Sequence, residues 1–499
     1  MRRSPSGLSF AKSPILQGRT ALTNALLISL YDLGHQPYEI LQLDAALVQA
    51  GIPSSIVDLS ITEEAELHSY DLQETYVVIS VPMHTAARLA LSVLDGLSGW
   101  QNNPKIILMG HYAEALATLP IPVPIAMLAS GESVDSIVDF ISIGNDASLP
   151  IESNSAIIKV NSTKASSRIK LINSPLHRDK LPSLSRYTSY IDGEKMELAG
   201  YVEASRGCLH LCTHCPVAAT YGGRIRINSV GSVIREIENL YESGARHITF
   251  GDPDFFNAPI HSIKTLEQSN TIFPDLTFDA TIKVSHILKY RDLIPKLSEN
   301  NVTFIVSAFE HTSLEVLDAL EKGHNTEDMV EALRIVRENG FEIRPSLLPF
   351  TPWTTLDSMV ELLDFVVDQD LIDAIDPVMY SIRLLVPSTS LTYKRFPYLF
   401  KDGRDGGLNL EWSSAITELD NLQLEISNIA ENAGDANNLE IFSKIYAAVA
   451  ATAGKESRDG FFSLNRNVPR LTESWYCCAE PTNSMTTAVA TETSRGSCC

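Results

Sequence analysis

Twice along this 499-residue chain, short apolar runs alternate with stretches that carry apolar residues at helical spacing. The first series places strand-like runs at residues 26–30, 55–59, 76–80 and 106–109, with helical patterns over 38–50 and 85–97 between them. Runs apolar on both faces must be covered on both sides, and strands joined through helices lie parallel. The second series starts at Tyr201, with strand-like runs at 201–205, 247–250, 277–281, 303–307, 342–347 and 378–383. Helical patterns over 230–243, 313–320, 326–339 and 355–368 separate them.

The first series, ending near Ile143, predicts a Rossmann-like domain over residues 1–150. Ligands of such sheets sit at the carboxyl ends of the strands, so the candidate loops are 30–36, 82–85 and 110–112. Residues 151–196 are polar and punctuated by Pro175 and Pro182, and read as a linker. The six units of the second series make a partial (β/α)6 barrel over 197–395. From 396 to 499 the pattern changes to helices at 413–433 and 438–453, followed by an irregular tail rich in Thr, Ser and Ala. The expected fold class is thus α/β with a helical C-terminal extension.

Behind the first strand of the second series stand Cys208, Cys212 and Cys215, in Ala204-Ser-Arg-Gly-Cys-Leu-His-Leu-Cys-Thr-His-Cys-Pro216. Three thiolates on one loop can hold three irons of a four-iron, four-sulfur (4Fe-4S) cluster and leave the fourth iron open. A closed zinc site would need a fourth ligand nearby, and the next cysteine is Cys477. A zinc knuckle is the plain alternative. Seven cysteines in all, three in this loop and four in the last 23 residues, fit metal or redox ligands better than structural disulfides.

The C-x-x-x-C-x-x-C spacing resembles the cluster loop of the radical S-adenosylmethionine (SAM) enzymes, with His214 where an aromatic residue usually stands. The resemblance implies that the open iron chelates SAM, whose reductive cleavage yields a 5′-deoxyadenosyl radical. It also implies SAM-binding roles along the barrel. Phe250-Gly-Asp-Pro-Asp254 occupies the place of the family's GGE element, which makes Asp252 and Asp254 candidates to face the methionine ammonium. Ser307-Ala-Phe-Glu310 with Glu321-Lys-Gly323 looks like the family's G-x-E-S … K-G stretch, so Ser307 and Glu310 are further candidates. Lys283 and Arg344 would project from neighbouring strands toward the SAM carboxylate. Ala129-Ser-Gly-Glu132 resembles the turn that closes cobalamin-binding-type domains ahead of such barrels, which makes cobalamin a candidate second cofactor. The cobalt-ligand motif D-x-H-x-x-G is missing, and His84 and His111 read as loop histidines. Trp353 and Tyr380 stand in aromatic, proline-rich loops at the barrel mouth, suited to a water-excluding pocket or to packing.

The tail segment Trp475-Tyr-Cys-Cys-Ala-Glu-Pro481 resembles the CUAEP/CCAEP-tail radical SAM proteins, in some of which selenocysteine stands at the place of Cys478. Cys477 and Cys478 are therefore candidates for a thiol-redox or soft-metal role, with Cys498 and Cys499 as pairing partners. A net charge of −22 opposes attraction to nucleic acid or anionic membranes. No apolar run is long enough to span a bilayer, and 7–20 lacks the apolar core of a secretory signal, so a cytoplasmic location is expected. The partners expected are a small-molecule or peptide substrate and a reductase or flavodoxin- or ferredoxin-type electron donor. Two competing readings remain: a cobalamin-dependent methyltransferase, and a non-catalytic iron–sulfur or zinc protein with a thiol tail that binds a partner.

Overall fold

The computed structural model describes residues 25–473 apart from 63–66, 68–75, 100–103, 144–157, 163–175, 404–405, 434–435, 459–461, 463 and 465. Its first sheet contains β1 (Ala25–Ser29), β2 (Ser54–Asp58), β3 (Tyr76–Ser80), β4 (Lys105–Met109), β5 (Ile125–Gly131) and β6 (Ile158–Ser162). All neighbours pair in parallel, in the order β2-β1-β3-β4-β5-β6. Strands β1 and β3 are buried at every position because each face meets its own apolar layer. Leu26, Ile28, Val77 and Ile79 pack with the helix His84–Ser98, whereas Leu27 and Val78 pack with the helix Tyr38–Gln49. Strand order reverses at β1 and β3, and the loops after them diverge to leave the crevice where open sheets bind ligands.

The stretch expected as a linker supplies strands to both sheets. Strand β6 pairs with β5, and its exposed Lys159 suits an outer strand that needs cover on one side only. The second sheet is built on β7 (Ser189–Asp192) and β8 (Lys195–Val202), with the small hairpin β9 (Ser205–Gly207) and β10 (Ile225–Ile227) beside it. It continues through β11 (His247–Phe250), β12 (Thr277–Thr281), β13 (Val302–Glu310) and β14 (Glu342–Leu347). A further pair, β15 (Lys401–Gly403) and β16 (Gly406–Glu411), lies apart, and β17 (Arg470–Leu471) returns to pair antiparallel with β7. The order β14-β13-β12-β11-β8-β7-β17 has five parallel strands from β8 to β14.

A sixth parallel strand, expected at 378–383, is a 3-10 turn over Pro377–Ser381 followed by a single bridge, Phe350 to Arg383. Proline at the start of that turn has no N–H to offer a ladder and is already set for a helical φ. Alternation then divides the barrel strands. Ile248, Phe250, Phe278, Ile305 and Ile343 enter the core under the helices. His247 turns to the other face, where Tyr190 stacks on it at 4.0 Å, Thr277 Oγ1 lies 2.8 Å from Nδ1 and Asp279 Oδ2 lies 2.8 Å from Nε2. The helical extension is present as Thr417–Glu431 and Asn438–Thr452; Ile426 and Ile445 join the barrel core and Phe442 meets Tyr380 at 5.4 Å.

Beyond β17, Glu473 lies against Gly34, in the loop after β1, and its backbone N–H donates to Thr188 Oγ1. Cys477, Cys478, Cys498 and Cys499 lie outside the described residues. Among the described residues no helix is long and apolar enough to cross a membrane.

Candidate functional site

The three-cysteine loop begins where β9 ends and is pinned from several sides. Gly207 has φ +75°, and a Cβ there would meet the Arg224 carbonyl oxygen at 2.4 Å and the Tyr221 ring, so this turn requires glycine. Leu209 N–H donates to Asn257 Oδ1, Thr213 N–H to the Leu320 carbonyl and Thr213 Oγ1 to the Ala319 carbonyl. Thr392 N–H donates to the Thr213 carbonyl. Cys215 caps the helix Pro216–Tyr221, whose first-turn proline needs no partner for a missing N–H. Cys208 and Cys212 are buried, Cys215 is half-buried, and none of the three is in a disulfide.

The loop lies over the carboxyl ends of β8, β11, β12 and β13, the usual place for barrel chemistry. Lys283 Nζ is 3.8 Å from Cys212 Sγ. Lys322 is buried near Cys212 and Cys215; its pairing with Glu310 overcomes burial and holds its ammonium above its ordinary range. Burial pushes the Cys208 thiol up. A single zinc held by sulfurs at about 2.3 Å would draw them to roughly 3.8 Å from one another. Among the described residues only His210, Asp254 and His286 bring three ligand atoms within 4.8 Å of each other; the cysteine sulfurs do not. Wider spacing, one loop and adjacent lysine charge fit a multi-iron cluster better than one ion.

Glu310 closes β13 in a left-handed conformation, φ +63°, where the register with β14 slips between Ala308 and Glu310. Its Oε1 lies 2.9 Å from Lys322 Nζ and 3.2 Å from His214 Nε2. Burial would raise this carboxyl, but Lys322 and His214 hold it well below its ordinary range. Asp252 turns toward the backbone: Ser205 Oγ donates to it at 2.5 Å and Ala204 N–H at 2.9 Å. Burial pushes it up to about 7. Asp254 instead faces two imidazoles, with Oδ2 2.7 Å from His286 Nδ1 and 3.4 Å from His210 Nε2. Burial alone would raise Asp254, and the two histidines leave it below its ordinary value. Gly251 allows this loop to pass the Tyr201 ring, since a Cβ would lie 1.9 Å from Cζ.

The remaining sequence candidates are dispersed. Ser307 is fully buried, and its Oγ has no hydrogen-bond partner among the described residues. Arg344 is buried on β14 and pairs with Asp376 at 3.1 Å. The structure therefore brings Lys283, Asp254 and Glu310 to the rim of the cysteine loop, turns Asp252 to the backbone beneath it, and places Arg344 in an ion pair. His210 and His286 were not singled out by sequence, and His214 and Lys322 were named only as parts of the cysteine and Glu321-Lys-Gly323 motifs, because only the fold brings the four together. Position offered one signal: His210 and His214 lie within the cysteine motif itself.

A cleft joins the two domains, lined by Tyr112 after β4 and by His214, Pro216, Leu348, Leu384 and Leu385 of the barrel mouth. For a cobalamin, the carboxyl edge of the first sheet offers one group whose hydrogen bonds are unmet. His84 behind Tyr112 is fully buried, with both ring nitrogens lacking hydrogen bonds among the described residues. Burial lowers it to about 3, which keeps the imidazole neutral, as a metal ligand must be. Other corners are closed. Glu132 pairs with Arg226 and Tyr221, His111 Nδ1 meets Thr220 Oγ1 at 3.0 Å, and Gly34 is covered by Glu473.

Residues 202–366 match the model of the Radical SAM superfamily. The ribosomal protein uS12 methylthiotransferase RimO of Dictyoglomus thermophilum is 25% identical over 176 residues, 33% of this chain and 40% of that protein. Its counterpart in Methylococcus capsulatus is 26% identical over 181 residues, 33% of this chain and 41% of that protein. The chain spans less than half the length of the curated relatives it matches. Among solved structures, the radical SAM methyltransferase TsrM of Kitasatospora setae, with cobalamin and a 4Fe-4S cluster bound, superposes with a TM-score of 0.55. It is 17% identical, over 70% of this chain and 74% of that one. The cobalamin-dependent SAM radical enzyme OxsB, with aqua-cobalamin bound, gives a TM-score of 0.59 at 14% identity, over 86% of this chain and 72% of that one. At such identities these likenesses establish the two-domain α/β fold.

Proposed function

Taking residues 202–366 as a domain of the Radical SAM superfamily, we propose that this chain is a radical SAM enzyme in which Cys208, Cys212 and Cys215 hold a 4Fe-4S cluster. The observation that carries the reading is the pinned loop of three cysteines, none in a disulfide, over the barrel strand ends, with Lys283 and Lys322 beside it. The cluster and SAM, when bound, supply a 5′-deoxyadenosyl radical that abstracts hydrogen from a C–H bond. The chain's own residues set the conditions for it. Lys283 and Lys322 place positive charge beside the loop, on the side that faces Cys212 and Cys215 and would meet an anionic cluster. Glu310 anchors Lys322 and orients His214 toward the cleft, and accepts from ribose hydroxyls with whatever capacity that leaves. The turn after β11, where Gly251 passes the Tyr201 ring, supplies the backbone carbonyls that would meet the ammonium end, while Asp254 is taken up by His210 and His286. Leu348, Leu384 and Leu385 wall the cleft with apolar surface, which keeps water from a reactive species. The substrate is a small molecule or a peptide, the reductant a flavodoxin- or ferredoxin-type donor, and the compartment the reducing cytoplasm.

Anaerobic reconstitution tests this. The expected outcome is about four irons and four sulfides per chain and 5′-deoxyadenosine formed from SAM, both lost when all three cysteines are changed to alanine. SAM cleavage by the triple variant would overturn the assignment. Truncation after Glu473 should leave the iron count intact if Cys477 and Cys478 act apart from this cluster, as redox thiols or soft-metal ligands.

A second reading, cobalamin-dependent methyl transfer, is favoured by the His84 and Tyr112 corner and by the two-domain likeness. Retention of hydroxocobalamin through gel filtration, read by visible absorbance, is its test, and no retention removes it.

A further inference from the structure

Three different elements bring His210, Asp254 and His286 together. His210 comes from the cysteine loop, Asp254 from the turn after β11, and His286 from the helix Val284–Lys289 after β12. Asp254 is fixed by its other oxygen, since Oδ1 accepts from Phe256 N–H at 3.1 Å, and this presents Oδ2 to the two imidazoles. His286 Nδ1 lies 2.7 Å from Oδ2 and His210 Nε2 lies 3.4 Å from it, yet none of these three buried atoms has a hydrogen bond of acceptable geometry. Asp254 is 2% exposed and His286 6% exposed, so bulk water does not satisfy them. Three buried ligand atoms within 4.8 Å of one another thus meet as charge contacts with no well-formed hydrogen bond among them, a polar demand that a shared ion would meet.

We propose that His210, Asp254 and His286 bind one divalent first-row transition-metal ion, separate from whatever the three cysteines hold. Imidazole and carboxylate ligands at about 2.0–2.2 Å from a tetrahedral ion stand roughly 3.4 Å apart, the separation of Asp254 Oδ2 from His210 Nε2. The His286 nitrogen, at 2.7 Å, needs only a small outward shift. Two imidazoles favour zinc or iron(II) over magnesium or calcium, which take oxygen ligands. One carboxylate and two neutral rings leave a further coordination position for an outside ligand. His210 is partly exposed and gives an entry path. The ion ties the cysteine loop to the turns after β11 and β12, beside the Leu209 N–H bond to Asn257 Oδ1 and reaching further to His286.

The test uses the full chain with Cys208, Cys212 and Cys215 changed to alanine, so that no thiolate of the loop competes, and Co2+ as the probe. The expected result is one equivalent of Co2+ with visible ligand-field absorption and a metal-dependent rise in melting temperature. Asp254→Asn in the same background should weaken Co2+ binding by at least about tenfold and abolish the metal-dependent rise in melting temperature, measured against the variant's own metal-free value. His210→Ala, on a partly exposed loop position, decides the matter if Asp254→Asn does not fold. Absence of stoichiometric Co2+ binding, or binding that neither variant weakens, leaves a His–Asp–His contact without metal and overturns the proposal. Because the cysteines are absent from this protein, the result is independent of the cluster assignment.

Discussion

Glu310 holds a left-handed backbone conformation that costs a residue with a Cβ about 1 kcal/mol or more, and it does so at the end of a barrel strand. Its carboxylate, paired with Lys322 and His214, offsets that cost. Glu310→Gln removes the charge and leaves Lys322 buried without its anion, so a loss of about 3 kcal/mol in unfolding free energy is expected from denaturant titration. The stabilisation from Glu310 is present above the unfolded carboxyl value of 4.5 and is lost as pH falls through its depressed folded value. Glu203 behaves oppositely. Burial, only partly countered by Arg206, pushes it up to about 7, so its contribution is complete below 4.5 and is lost as pH rises through about 7. Thermal melts of Glu203→Gln between pH 4.5 and about 7 should show a shallower decline with rising pH than the parent protein.

Among the elements, the barrel helices carry their own start signals. Asn325 and Asp328 form a reciprocal capping box on Thr326–Glu338, and Thr355 and Ser358 do the same on Leu356–Asp368. Asn325→Ala should cost about 1 kcal/mol in denaturant unfolding and leave cluster loading unchanged, because this cap does not contact the cysteine loop. The strand-like runs through 342–347 were legible from their apolar residues, and the structure places a strand on each except 201–205, where β8 has run from Lys195 and ends at Val202. The run at 378–383 carried similar apolar content, yet Pro377 makes it a 3-10 turn. Strands β6 and β7 were hidden for the opposite reason. They are short and polar, so only their ladder partners identify them, and β5, which ends in the 129–132 stretch taken as a turn, was not among the expected runs either.

At the scale of the molecule, the two sheets are joined through buried charge. Arg226 and Tyr221 meet Glu132; Arg206 reaches Glu203 at 2.7 Å, Glu39 at 3.4 Å and Gln42 at 3.0 Å. Buried pairs of this kind resist salt screening, and deleting one member leaves the others uncompensated. Glu132→Ala should therefore cost about 3 kcal/mol and raise hydrogen exchange in β9 and β10, with little change on adding salt. A smaller loss, or one that salt reproduces in the parent protein, would show that the interface depends on other contacts. Glu473 against Gly34 adds a second link, which brings the last described residues to the crevice edge of the first sheet.

Periodicity and spacing alone determined the α/β class, two successive sheets, the helical extension and the three thiols, because each is written in local order: apolar residues every second or third position, and cysteines within one loop. What only the tertiary structure decided is which charged side chain meets which. Asp252 and Asp254 are two residues apart, yet one turns to the backbone of Ala204 and Ser205 and the other to His210 and His286. Glu310, Lys322 and His214 converge from three segments of chain, and Glu132 finds Arg226 across 94 residues. Electrostatic and hydrogen-bond partners depend on distances of a few ångströms in space, and the sequence carries no periodic signal for them.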